Sequence, residues 1–409
     1  DIQWFLANCE RPDDVVSFIT ESVLDELRKI YNDAFIPATS SLSDGISRVK
    51  EKTGQKFIII IDEWDVLIRD ESVNKKVQDE YINFLRGMFK GTEPTKYIQL
   101  AYLTGILPIK KETTQSAVNN LDEFTMLQAF ELAPYIGFTE DEVRDLCQKY
   151  NRDFERVRAW YDGYMLDNEH IYNPKAVVSV MNRGKFRSYW SETGSYEVVV
   201  PLICMNYDGL KNAIIEMLSG TEVKVDTATF KNDPANIQSK DDVITYLIHL
   251  GYLSYNENNG SAFVPNEEIR QELMSAVKST RWDELLKFQQ TSDKLLNATL
   301  EMDEKQVADM ISKIHSEYAS AIQYNDENSL SSTITIAYLS AMQYYFKPVR
   351  ELPAGLGFAD FIFVPKPEYR DVYPALVIEL KWNRDASTAL QQIKERRYPE
   401  SVLNYTGNI

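Results

Sequence analysis

Apolar positions along this chain follow two different periods, and the change of period predicts its elements. Near the end, Gly357-Phe358-Ala359-Asp360-Phe361-Ile362-Phe363-Val364-Pro365 and Pro374-Ala375-Leu376-Val377-Ile378-Glu379-Leu380-Lys381-Trp382 are apolar runs separated by a charged, proline-bearing turn. They read as two adjacent strands. Far upstream, Lys56-Phe57-Ile58-Ile59-Ile60-Ile61-Asp62-Glu63-Trp64-Asp65 is an unbroken apolar run that ends abruptly in acid. Hydrophobicity without alternation predicts a central parallel strand covered on both faces. A second strand is expected over residues 97–106.

Helical spacing dominates elsewhere. Residues 13–31 place Val16, Ile19, Val23, Leu24 and Leu27 along one side, and residues 43–52 form a further helix before the Asp62 strand. Alternation of helix and strand argues a parallel sheet with flanking helices. Asp1-Ile2-Gln3-Trp4-Phe5 reads as the tail of a strand. Thr139-Glu140-Asp141-Glu142 opens a helix with a polar cap and acids in its first turn. A helix from Asp241 to Gly251, two short strands around Asn256-Glu257-Asn258-Asn259-Gly260, and a helix from Glu267 make a winged-helix-like unit. This unit is acidic, which favours packing or regulation over DNA contact. Residues from about 282 to 324 read as a helical connector, and residues 386–398 as a last helix with Leu390, Ile393 and Arg397 on one stripe and Gln391 beside it.

The candidate chemistry sits on the two C-terminal strands. Alternation puts Glu379 and Lys381 on one face, where Asp360 joins them if the strands are neighbours. Two carboxylates beside one ammonium suit a hard divalent cation with an oxygen shell, hence metal-assisted phosphodiester hydrolysis. A solvated strand-edge ion pair is the alternative. Glu222-Val223-Lys224 has the same Glu-x-Lys spacing without an upstream strand Asp, so the tripeptide alone carries little.

Acids at the end of a buried parallel strand suit a nucleotide-bound magnesium ion, because ligands of such sheets gather at the strands' carboxyl ends. Asp62 then holds the ion through water, and Glu63 orients an attacking water, as in a Walker B segment. Thr104, at the end of the second strand, stands where a γ-phosphate sensor belongs. The plainer alternative is that acids mark the point where a buried strand re-enters solvent. No Gly-x-x-x-x-Gly-Lys-Ser/Thr phosphate loop occurs in the sequence.

Composition narrows these readings. The 409 residues suggest two or three domains, and 44% hydrophobic content supplies real cores. Three separated cysteines (Cys9, Cys147, Cys204) give neither metal spacing nor a disulfide framework, which fits a reducing cytosol, and three scattered histidines exclude a conventional zinc site. No apolar stretch approaches a membrane span and no signal pattern opens the chain, so a cytoplasmic protein is expected. A net charge of −18 argues against non-specific coating of nucleic acid. Near the candidate strands, however, Lys366, Arg370, Lys381, Arg384, Lys394, Arg396 and Arg397 bring the balance close to neutral.

The order strand Asp, strand Glu-x-Lys, then helix Gln resembles the PD-(D/E)XK nuclease superfamily. On that resemblance Asp360, Glu379, Lys381 and Gln391 match position by position. Glu327 is the candidate for the first acidic residue, standing equally well as a helix-start carboxylate. With Asp62-Glu63-Trp64-Asp65, Trp160-Tyr161-Asp162-Gly163-Tyr164, Tyr172-Asn173-Pro174, Tyr189-Trp190 and Thr193-Gly194, nearly the whole chain resembles bacterial proteins joining an AAA-ATPase-like domain to a C-terminal nuclease domain. The family's phosphate loop would lie upstream of residue 1, so truncation at both ends is expected. One departure is Phe358, where the family usually has a basic residue, and it bears on substrate grip rather than metal binding.

The resemblance implies an α/β multidomain protein. Its domains are a parallel-sheet ATPase-like fragment over 1–133, a helical and winged-helix-like middle over 134–281, a connector over 282–325 and a nuclease-like domain over 326–409. It implies Mg²⁺ or Mn²⁺ held by Asp360, Glu379 and the Leu380 carbonyl, with Lys381 and Gln391 in support. The expected activity is DNA hydrolysis under control of the ATPase-like module, with ATP a ligand only if the upstream loop is present. A nucleotide-dependent switch or scaffold with an inactive nuclease-like domain is the alternative. Neither DNA against RNA nor the oligomeric state is readable.

Overall fold

The computed structural model describes residues 1–32, 35–70, 72–108, 121–190, 196–205, 207–232, 234–279, 283–318, 333–346, 348–354, 357–380 and 386–395. The architecture is mixed α/β with small sheets. The chain divides into two compact units, Asp1–Phe130 with Asp226–Leu250, and Glu131–Val225 with Gly251–Ile409.

In the first unit β1 (Phe57–Ile61) and β2 (Ile98–Leu103) run parallel, with Ile58 opposite Leu100 and Ile60 opposite Tyr102. Helix Val15–Ile30 and helix Lys75–Phe89 bury Leu24, Tyr81 and Leu85 in the same core. Helix Leu42–Thr53 starts at a Ser41 cap and stops at Gly54, whose left-handed backbone ends the helix.

Two expectations fail in this unit. The first residues are a helix, Ile2–Asn8, not a strand tail: the Asp1 side chain accepts from the Trp4 N–H at 3.2 Å and caps it. Nor is β1 covered on both faces. Phe57, Ile59 and Ile61 pack on the core, but Ile58 and Ile60 are 63% and 69% exposed, as are Leu100 (55%) and Tyr102 (50%) opposite them. Helices cover one face only among the described residues, so the unbroken apolar run is half solvent-facing.

Among its described residues the second unit holds three three-stranded sheets. In the first, β5 (Glu169–Tyr172) lies between β3 (Phe138–Thr139) and β4 (Tyr164–Leu166). Helix Glu140–Tyr150 follows β3 through a capping box, with Thr139 and Glu142 satisfying each other's backbone amides. Trp160, Tyr161, Tyr172 and Tyr189 share one buried cluster, so the aromatic motifs at these positions form a packing core. At Gly163, φ is +123° and an added Cβ would lie 1.9 Å from the Pro265 carbonyl oxygen. Only glycine fits that crossing.

In the second sheet β8 (Ser261–Phe263) pairs with β6 (Val223–Lys224) and β7 (Ser254–Asn256), ahead of helix Glu267–Ser279. Glu222 of the duplicate Glu-x-Lys here accepts from the hairpin, from Asn259 Nδ2 at 2.8 Å and from the Ser261 hydroxyl. In the third sheet β10 (Gly357–Phe363) lies between β9 (Val349–Ala354) and β11 (Leu376–Ile378), all antiparallel neighbours. Phe361, Ile362 and Phe363 are fully buried and anchor this sheet. In helix Asp283–Leu300, buried Ser292 donates at 2.6 Å to the carbonyl of Ala337, in the chain segment ahead of this sheet. After β10 the chain carries Lys366, 4% exposed, whose Nζ donates to Glu267 Oε1 and Met342 O, both at 2.8 Å.

Candidate functional site

The first cluster lies where β1 and β2 end together. Thr104 N–H donates to the Ile61 carbonyl and Trp64 N–H to the Thr104 carbonyl, each at 2.9 Å, so the parallel pairing carries the chain into the turn. Within it the Thr104 hydroxyl donates to Asp62 Oδ1, joining two of the candidate nucleotide residues. Glu63 has φ +54°, a left-handed backbone uncommon for a residue with a side chain. Its carboxylate meets Arg69 at 2.9 Å.

Beneath them Asp65 is fully buried and fully occupied. It takes Arg69 Nε at 2.8 Å, and the Leu107 and Ile106 N–H groups at 2.7 and 3.1 Å. Those amides fix the loop after β2, and Trp64 Nε1 donates to the Leu107 carbonyl at 3.2 Å. A buried charge persists only with such partners. Gly105 is required beside it, since a Cβ there would lie 2.5 Å from Asp65 Oδ1 and 2.7 Å from Trp64 Cδ1. The sequence reading passed over Arg69, although its position four residues after Asp65 is the helical pairing distance.

The second cluster lies on β10 and β11. Phe361 pairs with Ile378, and one further step of that register sets Asp360 opposite Glu379. The Leu380 N–H donates to Asp360 Oδ2 at 2.6 Å, closing the strands at this point. Leu380 is buried, which pins the backbone between Glu379 and the core. From helix Ala386–Glu395 it is Gln392 whose Nε2 contacts Glu379 Oε1. Gln391, one residue and about 100° around the helix from it, instead donates to Glu395 at 2.6 Å. Lys381 and Glu327 lie outside the described residues, as do Thr193 and Gly194. The donor set fits a hard divalent ion: Asp360 and Glu379 offer carboxylate oxygens from facing positions, and the Leu380 carbonyl follows directly in the chain.

Elsewhere, Glu140, Asp162 and His170 bring one ligand atom each within 4.8 Å of one another. Arg144 already lies 2.8 Å from Glu140, and Arg158 lies 3.6 Å from Asp162. A cation entering this group would have to displace them. The His170–Asp162 bond at 3.0 Å is the contact that the three-histidine count did not suggest.

With these sites in view, two family models match separate segments of the chain. The description "Predicted AAA-ATPase" matches residues 7–114, which contain the Asp62–Thr104 cluster, and "PD-(D/E)XK nuclease superfamily" matches residues 325–409, which contain Asp360 and Glu379. The chain thus joins an AAA-ATPase-like domain to a PD-(D/E)XK nuclease superfamily domain. Among particular proteins, it is similar to "Uncharacterized protein in vnfD 5'region" of Azotobacter chroococcum mcd 1. The identity is 28% over 153 residues, covering 37% of this chain and 29% of that relative. The chain thus spans less than a third of the relative it matches. No solved structure matches it. Among the described residues no helix is long and apolar enough to cross a membrane.

Proposed function

We propose that the chain is a divalent-metal-dependent nuclease acting on DNA, with the ATPase-like module controlling access to the cutting site. One observation carries this reading: inside the matched nuclease segment, Phe361 pairs with Ile378 and the Leu380 N–H donates to Asp360, which brings the Asp360 and Glu379 positions to adjacent strands at the next step of the register. Asp360, Glu379 and the Leu380 carbonyl would hold Mg²⁺ or Mn²⁺. When bound, such an ion lowers the pKa of a coordinated water and offsets charge on the scissile phosphate. The Leu380 amide orients Asp360, and Gln392 orients Glu379. Lys381, next in sequence, supplies the ammonium that positions the nucleophile or balances phosphate charge, and Gln391 supports the helix beside it. In the first unit, Asp62, Glu63 and Thr104 form the water-side half of a nucleotide site. A cytoplasmic location fits this chemistry.

The test is Mn²⁺ calorimetry with DNA cleavage on the parent and on Glu379→Ala. The parent should bind the ion and nick DNA, and the variant should do neither. Equal ion affinity in the two proteins overturns the assignment. Ion binding without cleavage of any nucleic acid would favour the switch or scaffold reading.

A further inference from the structure

The chain is strongly acidic, yet between Pro174 and Trp190 it carries Lys175, Arg183, Lys185 and Arg187 with no Asp or Glu. Helix Pro174–Arg183 stops at its Gly184 cap, and Arg183 at its end and Lys185 and Arg187 in the irregular segment after it are exposed. Exposed cationic loops are ordinarily mobile. This one has its backbone nailed to the core. The Tyr161 hydroxyl donates to the Arg187 carbonyl at 3.0 Å and accepts the Arg187 N–H at 3.3 Å. The Tyr189 hydroxyl donates to the Lys185 carbonyl at 2.6 Å. Buried Glu268 then accepts the Tyr189 and Trp190 N–H groups.

The aromatic side chains also hold the cations in place. Arg187 and Arg183 lie over the Tyr189 ring at 5.1 and 5.5 Å, and Arg156 lies over Phe186 at 4.2 Å. Arg156 in turn reaches Glu368, just beyond β10, at 3.5 Å. The cationic strip is therefore tied to the chain segment that leaves the Asp360 strand.

We propose that residues 183–187 grip the phosphate backbone of the nucleic acid that the nuclease domain cuts. The inference rests on the nuclease reading above and adds the element that holds its substrate. It answers a chemical need: Phe358 provides no cation next to Asp360, and a protein of net charge −18 attracts a polyanion only through a local patch. Three arginine or lysine side chains on a fixed backbone lose little conformational freedom on binding, which favours grip over a flexible tail. The contacts are to phosphate, so the strip contributes affinity and placement without reading sequence.

The experiment measures binding of a fluorescent DNA duplex, its single strand and the matching RNA strand by anisotropy over a salt series. The full chain carries Glu379→Ala so that nothing is cut. Combined Arg183→Gln, Lys185→Gln and Arg187→Gln should weaken binding about tenfold or more near 0.1 M salt and lower the log–log salt slope by about 2 to 3. Lys185→Glu alone keeps both arginine–tyrosine contacts, and should lower the slope by about 1 with an unchanged circular dichroism spectrum. Unchanged affinity and slope in both variants, with the parent binding, overturn the strip while leaving the nuclease reading intact. Loss of binding in the variants of a parent that never cuts supports the strip and sinks the nuclease reading. A parent that binds none of the three probes, or binds only an acidic peptide, overturns the strip.

Discussion

Glu268→Gln isolates one buried charge in the second unit. Glu268 is 1% exposed and accepts the Tyr189 N–H at 2.6 Å and the Trp190 N–H at 3.0 Å. Burial pushes its carboxyl from an ordinary 4.5 up to about 7; the two amides oppose the rise and the neighbouring Glu272 adds to it. The folded protein then holds this proton more tightly than the unfolded chain. Its contribution to stability is complete below about pH 4.5 and is lost as pH rises through about 7. The interval of about 2.5 pH units (7 − 4.5) corresponds to about 3 kcal/mol. Glutamine keeps an acceptor oxygen for both amides and never ionises. Urea denaturation of parent and variant at a series of pH values reads the difference. From pH 5 to pH 8 the variant should gain on the parent by about 2.5 kcal/mol, since part of the change precedes pH 5. Parallel curves would refute the assignment of the proton to Glu268.

Three further outcomes are expected. Gly105→Ala should cost about 1–3 kcal/mol, because its methyl meets the buried Asp65 carboxylate and the Trp64 ring; an unchanged thermal midpoint contradicts this. Lys366→Met should cost about 3 kcal/mol. Glu267 and the Met342 carbonyl keep Arg270 at 2.7 and 3.1 Å, so a double-mutant cycle with Glu267→Gln should return part of the loss; strict additivity argues against the coupling. Calorimetry on this chain should find no micromolar ATP affinity, since acids without a cradle of amides and a lysine repel phosphate, and a micromolar value would reveal a phosphate site elsewhere.

Much of the fold was legible because local rules agree with it. Thr139 with the acids after it marks a helix start, and the observed helix Glu140–Tyr150 obeys it through a capping box. Strand alternation was available in the two C-terminal runs themselves, whereas the register that sets Phe361 against Ile378 was not. What escaped depends on tertiary surroundings. Ile2, Trp4, Phe5 and Leu6 fit a strand or a helix equally, and the Asp1 cap decided between them. An all-isoleucine run cannot say whether its second face is covered. The choice between Gln391 and Gln392 turns on one step of helix rotation. Lys366 counts in the sequence among the cations near the candidate strands, but its burial depends on carbonyls and a glutamate distant in sequence. Glu268 gave no signal, because a carboxylate on a helix of acids and bases reads as surface.

At the Gly163–Pro265 crossing, backbone meets backbone with no side chain between. Side chains around such a contact can drift without loosening it, since none of them makes it. The one residue that cannot drift is the glycine. An evolutionary record of chains with this organisation should therefore hold glycine at position 163 while the identity of its neighbours wanders. Insertions should accumulate in the outward loops between the two positions rather than at the crossing itself. In mechanical terms the crossing is a rivet: force applied to the β7–β8 hairpin should reach the Asp162 turn with little give, before any side chain repacks.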